Sequence, residues 1–428
     1  MEKKITNDRV MLDGLSMHII ASVKIKGCTD VNNLKTAINY SVNRFESLRS
    51  RVERKSDGQA YFIYNGEKVN PSIEVRNYHT DLQTLTNEQS KIPFRFDKGE
   101  MIRFIIEDLD GYMNIRMIEH HLGGDGKSVL MLFDEIIKNL DAIENGTFEN
   151  EDKPVFPHNV VTQKYIENNI PLPDSLKNTL VSFNEMWKQN NTIFTNEDYL
   201  NIFDKYWSKN TKSVKTLKFD QKEMTKLVSI SKKYKVSINS ILMTTAAKVF
   251  ARNEKLTVVA DGLPEMREGM GNYSGGFGVD TFYDETKNFW ENATSIHKNV
   301  HAILQDKKNI IFSWAMNNLL DASLYDAICF ESTGCYKNEI AAKYNAIFSP
   351  KRRPFLISNI GRASFSETSK VKVEEMEVSS PMQTNFDCSL CVITVNGIMN
   401  IVMEYNKDAA FDYESMLKNI EDQIKHLA

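Results

Sequence analysis

Residues 119–128, with the sequence EHHLGGDGKS, constrain the fold of this chain more than any other stretch. The segment before them, residues 114–118, alternates apolar and polar side chains as a strand does. After them, residues 129–137 place apolar side chains at helical spacing. The three glycines therefore fall in a turn between a strand and a helix, where we expect glycine to supply positive φ. A reactive side chain is often held at such a junction.

Two adjacent histidines open this turn. Histidine has an unperturbed pKa close to neutrality, so a histidine fixed at the end of a strand is a natural proton acceptor. Neighbouring side chains of an extended segment point to opposite faces, so His120 and His121 cannot easily share one metal ion. The spacing does not choose between them as a base. It is also compatible with a plain glycine-rich turn that carries surface histidines.

The end of the turn, Gly126-Lys127-Ser128, is similar to the end of a phosphate-binding P-loop. A P-loop needs a further glycine five positions before the last one, so that backbone amides can wrap the phosphates. His121 stands at that position, which excludes the P-loop interpretation. With too few ligands nearby for a metal site, a catalytic base and a plain turn remain open at this point.

The pattern from His120 to Gly126 resembles the HHxxxDG signature of a large acyltransferase superfamily. That superfamily includes chloramphenicol acetyltransferase, nonribosomal peptide condensation domains, alcohol O-acetyltransferases and polyketide-associated acyltransferases. Further segments resemble the same superfamily in the same order over nearly the whole chain: residues 45–52, 235–242, 263–267, 271–273 and 358–361. The resemblance implies an α+β fold of two chloramphenicol-acetyltransferase-like subdomains. Each would hold a mixed, largely antiparallel sheet with helices, with an active-site tunnel between them.

The resemblance also implies roles for the residues of the motif. His121, the second histidine, is the expected catalytic base, whereas His120, Asp125 and Gly126 are expected to support the site. In this superfamily the motif aspartate pairs with an arginine and locks the turn. Arg267 is our candidate for that partner, ahead of two other arginines, Arg49 and Arg116.

Four further residues are candidates for binding substrate or the oxyanion that forms during acyl transfer. Ser358 and Asn359 follow a predicted strand at residues 355–357, and turn chemistry explains them equally well. Asn272 and Tyr273 lie in a glycine-rich stretch, residues 269–278, which we interpret as a mobile connector that could border the acceptor side.

The expected function is transfer of an acyl group, such as acetyl, from a coenzyme A thioester to a hydroxyl or amine acceptor. His121 would act as general base, with no covalent acyl-enzyme, no permanently bound cofactor and no metal. Two alternatives remain: a free-standing condensation-type domain whose donor is bound to a carrier protein, and an inactive member of the fold that only binds or scaffolds. The chain has no DFGWG segment, which disfavours the plant coenzyme A branch, and no carrier or adenylation segment, which argues against a multimodular synthetase.

Composition is that of a globular enzyme. A net charge of -4 offers no basic footprint for nucleic acid, and we see neither a signal peptide nor an apolar run long enough to span a bilayer. We therefore expect a cytoplasmic monomer. A chain of 428 residues exceeds the usual size of one core, so we predict two domains. They are residues 1–165 and 216–428, joined by a crossover at 166–215 where prolines and asparagines loosen the pattern.

Smaller patterns predict local structure. Asp220 and Glu223 form an acidic variant of the helix-opening capping box, and Asn396-Gly397 predicts a two-residue hairpin turn between strands at 387–395 and 399–405. Cys388 and Cys391 have redox-motif spacing but run into a predicted strand. We interpret them as buried thiols, with any further role open.

Overall fold

The computed structural model describes residues 1–190, 192–250, 255–349, 355–381, 386–407 and 411–427. Its strands, in chain order, are β1 (Glu2–Lys4), β2 (His18–Lys26), β3 (Arg51–Arg54), β4 (Ala60–Ile63), β5 (Ser72–Arg76), β6 (Ile102–Leu109), β7 (Tyr112–His120), β8 (Lys212–Phe219), β9 (Lys255–Asp261), β10 (Ser274–Asp280), β11 (Leu356–Ala363), β12 (Lys372–Ser379), β13 (Cys388–Val395) and β14 (Ile398–Asn406).

Helices alternate with the strands along the chain. In chain order they are α1 (Arg9–Leu12), α2 (Val31–Val42), α3 (Leu82–Gln89), α4 (Gly126–Asn145), α5 (Gln163–Asn169), α6 (Asp174–Trp187), α7 (Asn196–Trp207), α8 (Gln221–Tyr234), α9 (Ile238–Phe250), α10 (Phe289–Leu304), α11 (Lys308–Leu319), α12 (Ala322–Ser332), α13 (Glu339–Phe348) and α14 (Tyr413–Leu427).

The strands form two large sheets and one small one among the described residues. The first large sheet has the order β12-β2-β7-β6-β5, the second has the order β10-β9-β11-β13-β14-β8, and β1-β4-β3 form the small sheet. Most neighbours are antiparallel, and the parallel pairs are β5 with β6 and β11 with both β9 and β13. The predicted α+β fold with mixed, largely antiparallel sheets in two halves is confirmed.

Local patterns predicted several elements correctly. Asn396 and Gly397 adopt φ values of 51° and 78°, as a tight turn between two twisted strands requires, and β13 pairs with β14 across them. Asp220 and Glu223 form both bonds of the capping box, since each side chain accepts a hydrogen bond from the other residue's amide at 2.8 Å. Helix α8 then ends at Tyr234, where Lys235 takes a left-handed conformation.

Two sequence expectations were wrong at the level of secondary structure. Residues 269–278 are not simply a connector, because Ser274 begins strand β10, which pairs along its length with β9. Apolar side chains recur at helical spacing through residues 33–53, which predicts a helix there, but α2 stops at Val42 and β3 begins at Arg51.

The apolar side chains form two clusters that do not follow the order of the chain. Segment 166–215, expected to be a loose crossover, contains most of α5 and all of α6 and α7, and buried side chains of α6 and α7 pack into the cluster of the first sheet. Helices α12 and α13 pack into that same cluster, although they lie late in the chain. The proposed domain boundaries at 165 and 216 stay a prediction.

Two long-range contacts join the halves of the molecule near the turn. Strand β12 leaves the second half and pairs with β2 at the edge of the first sheet. The start of α4 faces β11, where Ile360 lies against Gly126. The turn at residues 119–128 therefore lies where the two large sheets approach each other. None of the helices in the described ranges has the length and apolar character needed to cross a membrane.

Candidate active site

The turn between β7 and α4 needs glycine because there is no room for a Cβ atom, and not because its backbone angles are unusual. Gly123, Gly124 and Gly126 have no positive φ, so the expectation that they supply it was wrong, including for Gly126. A Cβ at Gly123 would lie 2.5 Å from a carboxylate oxygen of Glu119, and one at Gly124 would lie 2.4 Å from the Cβ of Ser128. These glycines are needed because neighbouring side chains occupy the space.

Asp125 is the centre of the hydrogen bonds that hold the turn. It is the N-cap of α4, where its Oδ1 accepts from the amides of Lys127 and Ser128 at 3.2 and 3.1 Å. Its Oδ2 accepts from the amide of Tyr273 at 3.1 Å and from the hydroxyl of Ser274 at 2.9 Å. With the hydroxyl of Ser128, 3.2 Å from Oδ1, and the guanidinium of Arg267, six groups from two segments of the chain thus bond to one carboxylate.

Arg267 binds both oxygens of this carboxylate. Its Nη1 lies 2.8 Å from Oδ1 of Asp125 and its Nη2 lies 2.8 Å from Oδ2. Burial alone would raise the pKa of Asp125, but the hydrogen bonds and charge of Arg267 outweigh it, so the pKa lies below its ordinary value. The structure therefore sets Arg267 beside the motif aspartate. The other two candidates lie elsewhere: Arg49 bonds to backbone carbonyls near Gly66, and Arg116 bonds to Glu107.

His121 is held by the side chain of Asn272. The Asn272 Nδ2 donates to the backbone carbonyl of His121 at 2.7 Å, and the Asn272 Oδ1 lies 2.7 Å from His121 Nδ1. A carbonyl oxygen can only accept, so the amide nitrogen of Asn272 must face it and the amide oxygen must face the ring. The ring nitrogen Nδ1 therefore carries the proton and donates it to Asn272, which leaves the lone pair on Nε2.

Burial keeps this histidine neutral. It lowers the pKa of His121 below 6.5, although the charge of Asp125 and the hydrogen bond with Asn272 act in the opposite direction. A neutral imidazole with a fixed proton on Nδ1 can accept a proton at Nε2. His121 lines a cavity of about 740 Å³, a volume in the usual range for small-molecule sites.

His120 points to the opposite side of β7, as the alternation of an extended strand requires. It is buried against the rings of Phe94 and Phe96, and its Nδ1 accepts a hydrogen bond from the amide of Leu122 at 3.2 Å. Burial lowers the pKa of His120 well below 6.5. The two motif histidines thus have separate surroundings, and only His121 borders the cavity.

The cavity is lined by both halves of the molecule. Strand β11 contributes Ser358 and Asn359, which lie beside an irregular step in its pairing with β13. The amide oxygen of Asn359 accepts a hydrogen bond from the amide of Gly361 at 2.9 Å. Helices α11 to α13 form another part of the wall, with apolar and aromatic side chains that include Phe312, Met316, Tyr325, Ile328, Tyr344 and Phe348. Sequence patterns did not identify these wall helices.

Asn272 and Tyr273 were expected to border the acceptor, but the structure places them beneath the turn. Neither lines the cavity, because the side chain of Asn272 is engaged with His121 and the ring of Tyr273 is buried under Arg267, whose guanidinium lies 4.8 Å from the ring centre. Ser128 was not predicted as a residue of the site. Its hydroxyl donates to the carbonyl of Gly271 at 2.9 Å and ties the turn to the Asn272 loop. Its position at the third residue of α4 was the available sequence signal.

The two cysteines with redox-motif spacing lie within strand β13. Cys388 and Cys391 are buried unpaired thiols of β13, and burial raises the pKa of both. A buried thiol with a raised pKa is a poor nucleophile, which agrees with the structural interpretation. Within the described ranges, no group of three or more His, Cys, Asp or Glu side chains is arranged to hold a metal ion.

Comparison with known protein families decides the classification. The family model of the condensation domain matches residues 11–255, more than half of the chain. The chain belongs to the condensation domain family. A second family model, that of alcohol acetyltransferase, matches residues 264–424 of this condensation-family protein. The predicted relationship to the HHxxxDG acyltransferase superfamily is confirmed, and membership suggests acyltransferase activity. No curated protein sequence matches the chain.

Solved structures show the same fold at low sequence identity. The first condensation domain of the CDA synthetase has a TM-score of 0.66 at 13% identity, covering 100% of this chain and 96% of its own. Polyketide synthase associated protein 5 from Mycobacterium tuberculosis has a TM-score of 0.61 at 13% identity, covering 100% and 99%. The TRI3 trichothecene 15-O-acetyltransferase from Fusarium sporotrichioides has a TM-score of 0.68 at 10% identity, covering 100% and 95%. This condensation-family chain thus shares its fold with a synthetase condensation domain and with an O-acetyltransferase.

Proposed function

We propose that this protein transfers an acyl group from a coenzyme A thioester to a hydroxyl or amine acceptor, with His121 as the general base. The observation that carries the proposal is the bond between Asn272 and His121. It leaves the Nε2 lone pair of a neutral imidazole available in a cavity lined by both halves of the molecule. The family membership and the alcohol acetyltransferase match of the second half support the same reaction class.

The reaction needs no protein nucleophile. The acceptor hydroxyl loses its proton to His121 Nε2 while its oxygen attacks the thioester carbonyl carbon and forms a tetrahedral oxyanion. The carbon–sulfur bond then breaks, and the proton on Nε2 passes to the departing thiolate of coenzyme A. The ester and the free thiol are the products, so protons and electrons balance. A general base of this kind contributes roughly 10² to 10⁴ in rate.

Polar groups of β11 are the candidates for stabilising the oxyanion. Ser358 and Asn359 line the same cavity as His121, and each carries a side-chain donor. Asn359 uses its oxygen to accept from Gly361, which turns its amide nitrogen toward Asn239, 3.4 Å away. That long bond is replaceable, so a developing negative charge can compete for the donor. We assign these two residues to the oxyanion or to the pantetheine arm of the donor.

The charged side chains of the cavity favour a neutral acceptor. Asp13 bonds to Arg54, Asp125 bonds to Arg267, and Lys127 bonds to Asp261 at 2.8 Å. Each described charge on the wall is thus compensated within the protein. A charged acceptor would enter without a counter-charge and lose its hydration, which is costly. Together with the aromatic wall of α11 to α13, this points to an uncharged, partly apolar alcohol or amine.

A thiol-release assay tests the proposal. Purified protein is incubated with acetyl-CoA and a panel of neutral alcohols and amines, and free coenzyme A is followed with a thiol reagent. We expect acceptor-dependent release that falls about 10² to 10⁴-fold in His121→Ala. The control His79→Ala changes a largely exposed histidine outside the cavity and should leave the rate unchanged. An undiminished rate in His121→Ala would show that another group is the base.

The second candidate function is a free-standing condensation-type domain with a carrier-bound donor. The match of residues 11–255 to the condensation domain favours it, because that family includes synthetase domains. Activity with an acyl-loaded carrier protein but none with free acyl-CoA would select this candidate. An inactive scaffold would give acceptor-dependent thiol release with neither donor.

A further inference from the structure

Two glycines in strand β10 are not required by the packing of the protein itself. Gly276 and Gly278 lie in the interior of the strand, where glycine weakens a sheet because it has no side chain to pack. Neither residue has a positive φ. A Cβ at Gly276 would lie 3.5 Å from the methyl group of Thr257, and one at Gly278 would lie 3.6 Å from the side chain of Lys255. These are ordinary contact distances, so an alanine would fit at either position.

The alternation of the strand separates these two glycines from their neighbour Gly275. Gly275 lies on the buried face of β10, where an added Cβ would be 2.2 Å from the backbone carbonyl oxygen of Ile310. Gly276 and Gly278 lie on the opposite face, which is exposed and lines the same cavity as His121. Glycine in the interior of a strand is typical of a place where a ligand closely approaches the backbone.

The two exposed glycines continue a line that begins at the catalytic turn. Ser274 lies on the same face of β10, and its hydroxyl donates to Oδ2 of Asp125 at 2.9 Å. A strand rises about 3.3 Å per residue, so Gly276 and Gly278 lie roughly 7 and 13 Å from Ser274 along β10. We call Gly276 and Gly278 the glycine track. It leads from the turn that holds His121 toward the exposed end of the strand.

The neighbouring strands place the glycine track beside a residue already assigned to substrate binding. Gly276 pairs with Val259 of β9, and Val259 pairs with Ser358 of β11. Paired residues of adjacent strands point to the same face of a sheet, so these three form one row across the floor of the cavity. Only the β10 position of that row lacks a side chain. The floor is therefore lowest over β10, which leaves a narrow groove there.

Helix α11 offers regularly spaced polar groups beside this groove. It contacts β10 at Gly275 and contributes Asn309, Ser313 and Asn317 to the wall of the same cavity. These three residues are four positions apart, so they lie along one side of the helix at intervals of about 6 Å. Amide and hydroxyl groups both donate and accept hydrogen bonds, so such a row suits a ligand with polar groups along its length.

We propose that the glycine track binds a narrow, extended chain that carries amide groups and ends at His121. The inference rests on the proposed function, because acyl transfer from coenzyme A supplies two sources of such a chain. One is the pantetheine arm of the donor, and the other is a linear acceptor that contains amide groups. Gly276 and Gly278 are then specificity-determining residues, since they keep the path free of side chains.

A different explanation of the glycines is protection of an edge strand. Strand β10 lies at one end of its sheet in the described part of the chain, and proteins often modify edge strands so that they do not pair with another chain. That explanation predicts that side chains at the two positions change stability or association without changing catalysis. Substitution therefore separates it from a ligand path.

Valine substitutions at the track provide the main test. Because valine favours strands, Gly276→Val and Gly278→Val should keep at least the thermal midpoint of the wild type. We expect them to raise the KM of one substrate about 10- to 100-fold with little change in kcat, as a misfit in a binding path does. The smaller Gly276→Ala should raise the same KM less, and it carries the test if the valine variants do not fold. Ser72→Val, at an exposed position of edge strand β5 outside the cavity, is the matched control and should change nothing.

A shortened donor identifies which substrate lies on the track. The acetyl thioester of N-acetylcysteamine keeps the reactive end of acetyl-CoA but lacks most of the pantetheine arm. If that arm lies on the track, Gly278→Val should raise the KM of acetyl-CoA and leave the KM of the shortened donor unchanged. If a linear acceptor lies there, the KM of the acceptor should rise with either donor, and the rise should increase with acceptor length. Folded track variants that keep every KM within about twofold of the wild type would overturn the proposal.

A binding measurement separates failure of this inference from failure of the proposed function. If the wild type transfers no acyl group, calorimetry compares its affinity for coenzyme A with that of Gly276→Val. Binding that is weaker by about tenfold or more in the variant would reject the proposed function and leave the track standing. Affinity that is equal in the two proteins, or absent from both, would overturn the track.

Discussion

Arg267 and Asp125 form a two-bond ion pair between residues that are 142 positions apart in the chain. The pair joins the turn that carries His121 to the loop that carries Asn272. Asp125 also caps α4 and accepts hydrogen bonds from Tyr273 and Ser274. One carboxylate therefore holds both the turn that carries the His121 imidazole and the loop that carries Asn272. The site is therefore built by a contact between the two halves of the molecule.

Removal of this carboxylate should destabilise the fold. We expect Asp125→Ala to lower the free energy of unfolding by about 3 to 5 kcal/mol, because it leaves the largely buried guanidinium of Arg267 with only Asp261, 3.5 Å away, as a counter-charge. Urea unfolding measures the change. The matched control is Asp97→Ala, which breaks a two-bond pair with Arg95 at a more exposed site and should cost at most about 1 kcal/mol. Equal costs for the two substitutions would contradict the structural role of Asp125.

The acidic limb of the pH profile should report the neutral state of His121. A general base works only when unprotonated, and burial lowers the pKa of His121 below 6.5. The value of kcat/KM should therefore stay level as the pH falls from 7.5 to about 6.5, and it should decline only at a lower pH, by about tenfold per pH unit once His121 is mostly protonated. Fluorescence at each pH confirms that the protein remains folded. A limb centred above pH 6.5 in folded protein would mean that another group is titrating.

Two fully buried glutamates of the first sheet should respond to pH in opposite ways. Neither carboxyl oxygen of Glu119 has a hydrogen-bond partner, and burial raises its pKa well above 4.5. In the unfolded chain the Glu119 carboxyl group ionises above pH 4.5, whereas in the folded protein the same group stays neutral. The free energy of unfolding should therefore fall as the pH rises, by about 1.4 kcal/mol per pH unit. Glu119→Gln should unfold at a higher temperature than the wild type at pH 8 and at the same temperature near pH 4.

Glu107 provides the matched comparison. Burial alone would raise its pKa, but the charge of Arg116 and several hydrogen bonds lower it. Its contribution to stability is present above pH 4.5 and is lost as the pH falls through the lower folded-state pKa. Glu107→Gln should therefore destabilise the protein at pH 7. A stabilising effect of this variant, or a destabilising effect of Glu119→Gln at pH 8, would contradict the assigned environments.

Gly124 should not tolerate a side chain. A Cβ there would lie 2.4 Å from the Cβ of Ser128, and Ser128 cannot withdraw without releasing its bonds to Gly271. We expect Gly124→Ala to lose about 1 to 3 kcal/mol of stability through overpacking. Gly276→Ala is the control, because its Cβ would meet Thr257 at an ordinary 3.5 Å. Thermal unfolding of the two variants compares them, and equal midpoints would show that the turn can relax.

The hairpin turn offers a prediction that depends on backbone conformation. Gly397 has a φ of 78°, and an added Cβ would also lie 3.2 Å from Gln221. We expect Gly397→Ala to cost about 1 to 2 kcal/mol, because a left-handed conformation places the Cβ too close to the following carbonyl. Asn396→Gly should be tolerated at the same turn. Urea unfolding distinguishes the two, and a neutral Gly397→Ala would contradict the assigned turn type.

Local structure and the identity of the motif could be predicted from the sequence alone. The hairpin at Asn396-Gly397 and the capping box of Asp220 and Glu223 depend on neighbouring residues only, so their patterns could be interpreted without a fold. The strand-to-helix turn at residues 119–128 was predicted for the same reason. What failed locally was the role of its glycines, since the need for space arises from Glu119, Ser128 and Ile360 and not from backbone angles.

The assembly of the site depends on contacts between distant segments, which the sequence patterns did not predict. Asn272 had been expected to face the acceptor, but a hydrogen bond to a residue 151 positions away turns its side chain toward His121 instead. Sequence spacing encodes contacts within a helix or hairpin, whereas contacts between the two halves depend on how the sheets pack. The packing of the two halves places Asn272 against His121 Nδ1, so Nε2 is the ring nitrogen that can accept a proton.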